Sequence, residues 1–193
     1  KTIGLDPRIG KLFLNAGPGY GGSCLPKDMS ALINFADKIG VKPILLNAVE
    51  KTNHEQINNI VSLMKKILGN ITSKRITILG TAFKPNTDDV RDSKSIELIK
   101  KLLKNKARIT IHEPKAIENT QKIFGEKILY AKSIADALNK SQCVIIMTHW
   151  KQYDTLNNNS IKRMNKKIII DCRRVLAKKE LDARYYAIGI GKN

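Results

Sequence analysis

The sequence predicts an α/β fold, with a mainly helical segment over residues 1–70 followed by a doubly wound parallel-sheet domain over residues 71–193. Three observations carry this. Before residue 70, apolar residues recur at helical spacing and no strand pattern falls between them. After Thr72-Ser73, short isoleucine-rich runs alternate with amphipathic stretches. Finally, 42% of the 193 residues are hydrophobic, enough to build a sizeable core against a formal net charge of +18.

Met29, Leu32, Ile33, Ala36 and Ile39 fall at i, i+3, i+4, i+7 and i+10, the stripe of a helix near 27–39, and Gly40 is a fitting C-cap. After Pro43 a second stripe, Ile57, Ile60, Val61, Met64, Ile67 and Leu68, ends at Gly69-Asn70 and predicts one long helix over 44–68. Arg75-Ile76-Thr77-Ile78-Leu79-Gly80 reads as a buried strand closed by glycine. Ile96, Ile99, Leu102 and Leu103 mark a helix, and the run from Arg108 to Pro114 is the next strand. A strand, a helix and a strand in that order demand parallel pairing with a right-handed crossover. A helix at 133–140, a strand from Cys143 to Met147, a polar stretch, a strand from Ile168 to Asp171 and a last strand from Tyr186 to Gly189 complete the domain. In such sheets ligands sit outside the carboxyl ends of the strands, which directs attention to the loops after Leu79, Ile111, Met147 and Ile170.

No run approaches the ~18 consecutive apolar residues of a membrane-spanning helix, and the first residues lack a secretory pattern, so a soluble, cytoplasmic protein is expected. Cys24, Cys143 and Cys172 are far apart and in no zinc or disulfide spacing, and His54, His112 and His149 form no metal-ligating pair. No metal is expected. The cationic excess makes anionic partners plausible, from phosphates to nucleic acid. Most of it, however, is lysine scattered singly or in pairs, and no nucleic-acid motif accompanies it, so nucleic acid is not expected as a partner.

The chemistry concentrates in Gly17-Pro18-Gly19-Tyr20-Gly21-Gly22-Ser23-Cys24-Leu25-Pro26-Lys27-Asp28. Gly17, Gly19 and Gly22 fit G-x-G-x-x-G, but that fingerprint requires a preceding strand inside a βαβ unit, and here helix, loop and helix follow. A second reading starts from Cys24. It lies just before a helix whose first position is read as Pro26, where free amides and the macrodipole favour a thiolate, with Lys27 adding a cation and Asp28 one turn on. Glycines let backbone approach a ligand closely. Against this stands the plain reading of Cys24 as a small apolar residue beside a turn. Cys143, inside a strand, and Cys172 read as core residues.

At this point the residues resemble a family. Phe13 to Asp28 is similar to the active-site cysteine loop of the UDP-glucose/GDP-mannose dehydrogenase family. The stretch Leu79-Gly80-Thr81-Ala82-Phe83-Lys84-Pro85-Asn86-Thr87-Asp88-Asp89-Val90-Arg91-Asp92-Ser93 resembles that family's nucleotide-sugar loop, and Asp171-Cys172-Arg173-Arg174-Val175-Leu176 its third signature. The resemblance implies that residues 1–70 are the end of a central helical, dimerisation domain with the cysteine loop and a long linking helix. Residues 71–193 would be a Rossmann-like UDP-sugar-binding domain. It further implies that an NAD-binding domain precedes this chain in the family, and that the chain by itself is inactive.

The family's reaction is a four-electron oxidation of a sugar C6 alcohol to a carboxylate with two NAD+ in succession. The resemblance makes Cys24 the nucleophile that forms a thiohemiacetal and then a thioester, with Asp28 orienting water or moving a proton. It assigns Phe13, Leu14, Asn15, Ala16, Gly17 and Gly21 to lining the UDP-sugar, Phe83, Lys84 and Arg174 to binding it, and Lys27 and Arg91 to touching NAD. Arg8 would reach the sugar of a neighbouring subunit, which implies a homodimer. The second motif and Glu113-Pro114-Lys115 look closer to the family's UDP-glucose members than to its GDP-mannose or UDP-N-acetylmannosamine members. A nucleotide-sugar-binding module without chemistry is the alternative reading.

Overall fold

The strand β1 (Arg75–Leu79) is buried at every position but its first, as a strand covered by helices on both faces must be. The computed structural model describes residues 2–11 and 14–190. Within them β1 pairs in parallel with β2 (Arg108–His112) on one side and with β4 (Cys143–Ile146) on the other. Beyond β2 lies β3 (Leu129–Tyr130), and beyond β4 come β5 (Ile168–Asp171) and β6 (Arg184–Ala187). The result is one parallel six-stranded sheet ordered β3-β2-β1-β4-β5-β6. Strand order reverses direction at β1/β4, the topological switch point of a doubly wound fold.

Before the sheet come α1 (Leu25–Lys38) and α2 (Ile44–Leu68); between strands lie α3 (Lys94–Lys104), α4 (Ile117–Phe124), α5 (Ile134–Leu138) and α6 (Asn158–Ile161). Side chains start three of these. Ser93 accepts from Ser95 N–H, Ser133 accepts from Asp136 N–H, and Asn157 forms a reciprocal capping box with Ser160. Helix α1 begins at Leu25, so Pro26 is its second residue and Cys24 is itself the N-cap, one position closer to the helix end than the sequence suggests.

The long helix α2 works at two levels. Its C-terminal half puts Ile57, Ile60 and Met64 into one core with Ile76 and Ile78 of β1 and Leu98 and Leu102 of α3. Its N-terminal half leaves Ile44 and Leu45 about three-quarters exposed, and α1 with its C-cap leaves Leu32, Phe35 and Ile39 exposed as well. The opposite sheet face packs Val144, Ile146 and Ile169 against Leu138, Trp150, Tyr153 and Ile161.

Four elements differ from the sequence expectation. The two-residue β3 and the short helices α4 and α6 leave too few apolar positions to make a pattern. The last strand runs from Arg184 to Ala187 rather than from Tyr186 to Gly189. It is the sheet edge, only partly buried, so its apolar content does not mark its bounds, and Gly189 sits beyond it at φ +70°. No helix among the described residues is long and apolar enough to cross a membrane.

Candidate functional site

The loops leaving the carboxyl ends of β1, β4 and β5 meet under the glycine loop that carries Cys24. The approach is close because glycine permits it. A Cβ on Gly17 would overlap the Arg173 guanidinium, one on Gly19 the Asn53 side-chain oxygen, and one on Gly21 the Asp92 carbonyl. On Gly22, at φ +91°, a Cβ would stand 2.6 Å from the Phe83 ring. The Gly22 N–H donates to the Arg91 carbonyl at 3.0 Å. Helix α2 holds the loop from the other side. The buried Asn53 accepts from Tyr20 N–H at 2.9 Å and donates to Tyr20 O at 3.1 Å.

These interactions set Cys24 at the N-terminus of α1 with its side chain exposed and its Sγ 3.6 Å from Ser23 Oγ. Asp28 lies one turn along, its N–H donating to Cys24 O at 2.8 Å and its carboxylate 3.3 Å from the Lys27 ammonium. Both partners of that pair are largely exposed, so it adds little stability. Lys27 and Arg91 line one cavity of about 610 Å³ between α1, α2 and the start of α3. Asp89 grips Arg91 through Nε at 3.0 Å and Nη2 at 2.7 Å. That bond holds the Asp89 carboxyl below its ordinary value and raises the Arg91 guanidinium, to which the nearby Cys24 sulfur adds a smaller contribution.

Phe83 and Lys84 sit in the loop after β1, with Lys84 Nζ 5.3 Å from the Phe83 ring centroid and the Phe83 ring against Gly22. Two buried carboxylates shape the loops. Glu113 binds the Thr81 and Ala82 amides. Asp171 accepts from Arg173 N–H at 3.0 Å, Leu176 N–H at 2.8 Å and the Tyr185 hydroxyl at 3.0 Å. The turn Asp171 fixes throws its two arginines apart. Arg174, at φ +56°, donates Nε to Ile188 O at 2.9 Å and lies over Gly189. Arg173 turns inward, donating Nε to Met147 O at 2.8 Å with its guanidinium on Gly17. Among the described residues it pairs with no carboxylate, and burial pulls its pKa below the ordinary value.

The structure thus gathers Gly17, Gly21, Cys24, Lys27, Asp28, Phe83, Lys84 and Arg91 around one loop. Leu14 and Asn15 are exposed and Ala16 half-buried on the approach to it. Arg8 pairs only with Asp6 among the described residues, its side chain 87% exposed. Phe13 lies outside the described residues. Sequence reasoning gave no site role to Arg173, Asn53 or Glu113, although it pointed to the loops that hold the first and last. The one usable signal was the Arg173-Arg174 doublet, whose members must face different ways in a tight turn. No group of three metal-ligating side chains occurs among the described residues.

The chain is similar to known proteins in sequence and fold. Residues 77–178 match the model for the UDP binding domain of the UDP-glucose/GDP-mannose dehydrogenase family, and residues 1–55 that for its central domain. The chain is 40% identical over 195 residues to a UDP-glucose 6-dehydrogenase of Rickettsia felis, covering 98% of this chain and 44% of that protein. It is 40% identical over 180 residues to a UDP-glucose 6-dehydrogenase of Haloferax volcanii, covering 93% and 41%. The structure of a UDP-glucose dehydrogenase from Pyrobaculum islandicum superposes with a TM-score of 0.87 at 35% identity, over 98% of this chain and 42% of that one. The chain spans less than half the length of these relatives.

Proposed function

The chain belongs to the UDP-glucose/GDP-mannose dehydrogenase family, and from that premise we propose that it is the UDP-sugar-binding, nucleophile-bearing portion of an NAD-dependent UDP-glucose 6-dehydrogenase. The observation that carries this reading is the seating of the loop that bears the exposed Cys24 on the carboxyl ends of the parallel strands, where a half-buried Arg173 lies against Gly17 and pairs with no carboxylate among the described residues. An unpaired, partly desolvated guanidinium is costly to keep unless an anion meets it, and a diphosphate is such an anion. Lys84 supplies a second cation on the same side, and the Phe83 ring closes the space under Gly22.

Cys24 would add through its sulfur to the C6 aldehyde of the half-oxidised sugar, giving a thiohemiacetal. The covalent link keeps a reactive aldehyde from leaving between oxidations. After the second oxidation the same carbon is a thioester, which water cleaves to the carboxylate while the thiol is restored. Asp28, exposed one turn from Cys24, is placed to orient that water and take its proton. NAD+ would accept the hydride in each oxidation. Lys27 and Arg91 fit it as cations flanking the same cavity next to Cys24, Arg91 already fixed in place by Asp89. The apolar stripe that α1 leaves exposed supports the homodimer, and with it the proposed reach of Arg8 to a partner's sugar. A cytoplasmic location follows from the soluble nucleotide substrates of such a reaction.

Isothermal titration with UDP-glucose tests the binding half of the proposal. Arg173→Ala and Lys84→Ala should each weaken binding by about tenfold or more, the scale of a single charge-assisted hydrogen bond. Unchanged affinity in both variants contradicts it.

A further inference from the structure

We infer that Glu113 is a positioning residue for the nucleotide-sugar loop, occupying with the protein's own charge the main-chain amides that in related sheets would face a ligand phosphate. This rests on the reading above that Phe83 and Lys84 contact the nucleotide sugar.

The register of the sheet puts Glu113 where it can do this. Leu79 of β1 lies level with His112 of β2, and Gly80 N–H donates to His112 O at 3.0 Å, so the residue after β2 emerges beside the turn after β1. Gly80 makes that turn at φ +90°, hard against the Thr148 side chain. Glu113 is 3% exposed. Its Oε2 accepts from Thr81 N–H at 2.5 Å and Ala82 N–H at 3.0 Å, with the Thr81 hydroxyl at 3.3 Å and the Trp150 indole N–H at 3.4 Å. Its Oε1 accepts from Lys115 N–H at 3.0 Å and Ala116 N–H at 3.3 Å. Four backbone amides from two loops thus converge on one carboxylate that pairs with no lysine or arginine among the described residues. A nest of amides is the usual receptor for a phosphate at this end of a doubly wound sheet. Here the nest is filled from within.

Two consequences follow. The ligand's diphosphate cannot use the Thr81 and Ala82 amides and is left to side-chain cations and the other loops. In addition, the path of the chain into Phe83 and Lys84 is set before any ligand arrives, because both amides preceding Phe83 are fixed.

The test compares the wild-type chain with Glu113→Gln by titration with UDP, together with the unfolding midpoint and the iodoacetamide labelling rate of Cys24 without ligand. Gln keeps one acceptor but turns an NH2 toward amide donors, so one pair of bonds fails. UDP binding about tenfold weaker or more, at a temperature well below the unfolding midpoint and with the Cys24 labelling rate unchanged, is expected. Trp150, the sole tryptophan, should shift its emission in the same variant. If Glu113→Gln does not fold, Glu113→Asp takes its place with the same readings, one methylene too short to reach both loops. UDP affinity within threefold of wild type in the folded variant overturns the inference. A wild-type chain that takes up no UDP, or a Lys84→Ala variant that binds it unaltered, overturns instead the reading of the site on which the inference rests.

Discussion

The side-chain amide of Asn53 pairs with both main-chain groups of Tyr20, accepting at 2.9 Å and donating at 3.1 Å as a neighbouring strand would. It is the point at which α2 holds the loop that carries Cys24, four residues on. Asn53 is buried, so removing its amide takes from both Tyr20 groups the partner that α2 supplies. Asn53→Ala should cost about 1–3 kcal/mol of stability, read by urea unfolding. A cost below the error of that measurement would mean the pairing does not hold the loop.

The three cysteines should separate cleanly by reactivity. Burial pushes the Cys143 thiol up to about 12 and raises Cys172 as well, while Cys24 is exposed. One iodoacetamide adduct per folded chain is expected and three in denaturant, with Cys24→Ser giving none and two. Mass spectrometry of the labelled peptides checks the assignment. Early labelling at Cys143 or Cys172 would contradict the packing of β4 and β5.

Gly22 and Gly40 both have positive φ, +91° and +76°, but only Gly22 has the Phe83 ring within 2.6 Å of a would-be Cβ. Gly40→Ala should therefore cost only what left-handed backbone demands of an L residue, about 1–2 kcal/mol. Gly22→Ala adds displacement of Phe83 and should cost more, while also weakening UDP binding. Equal unfolding midpoints for the two variants would argue that the loop does not rest on Phe83.

On acidification, stability should begin to fall earlier than carboxylates alone require. Burial lowers the His112 pKa from 6.5, with Glu113 opposing in part. Below pH 6.5 the unfolded chain binds a proton that the folded chain resists. The contribution is therefore complete above pH 6.5 and is lost as pH falls toward the lowered value. His112 Nδ1 lies 3.1 Å from the Tyr153 hydroxyl, which donates to His112 O at 2.8 Å. Urea unfolding at pH 7.5 and 5.0 should show a larger acid destabilisation for wild type than for His112→Asn. Equal destabilisation would place the acid sensitivity elsewhere.

The strands β1, β2, β4 and β5 were legible because parallel strands buried on both faces read as unbroken apolar runs. Helix α2 was legible at both ends, its start at Ile44 from Pro43 and its end at Leu68 from the stripe that begins at Ile57. The edge elements were not, since β3 has two residues and β6 is half-exposed. In the site, the glycine loop announced itself by composition. Asn53 did not, being a lone polar residue on a helix read by its apolar face, with its partner 33 positions away in sequence. Arg173 and Arg174 are neighbours whose side chains are sent apart by the turn that Asp171 pins, and no one-dimensional spacing distinguishes them. Glu113 likewise gains its meaning only when β1 and β2 come into register.

Alkylation of Cys24 in the presence of ligand tests most directly whether this sulfur faces a bound nucleotide sugar. Labelling by iodoacetamide, followed by peptide mass spectrometry, should slow by about tenfold or more at saturating UDP-glucose, with UDP alone protecting less because it lacks the hexose. A Cys24 labelling rate unchanged by UDP-glucose, under conditions where titration shows the ligand bound, would contradict the account.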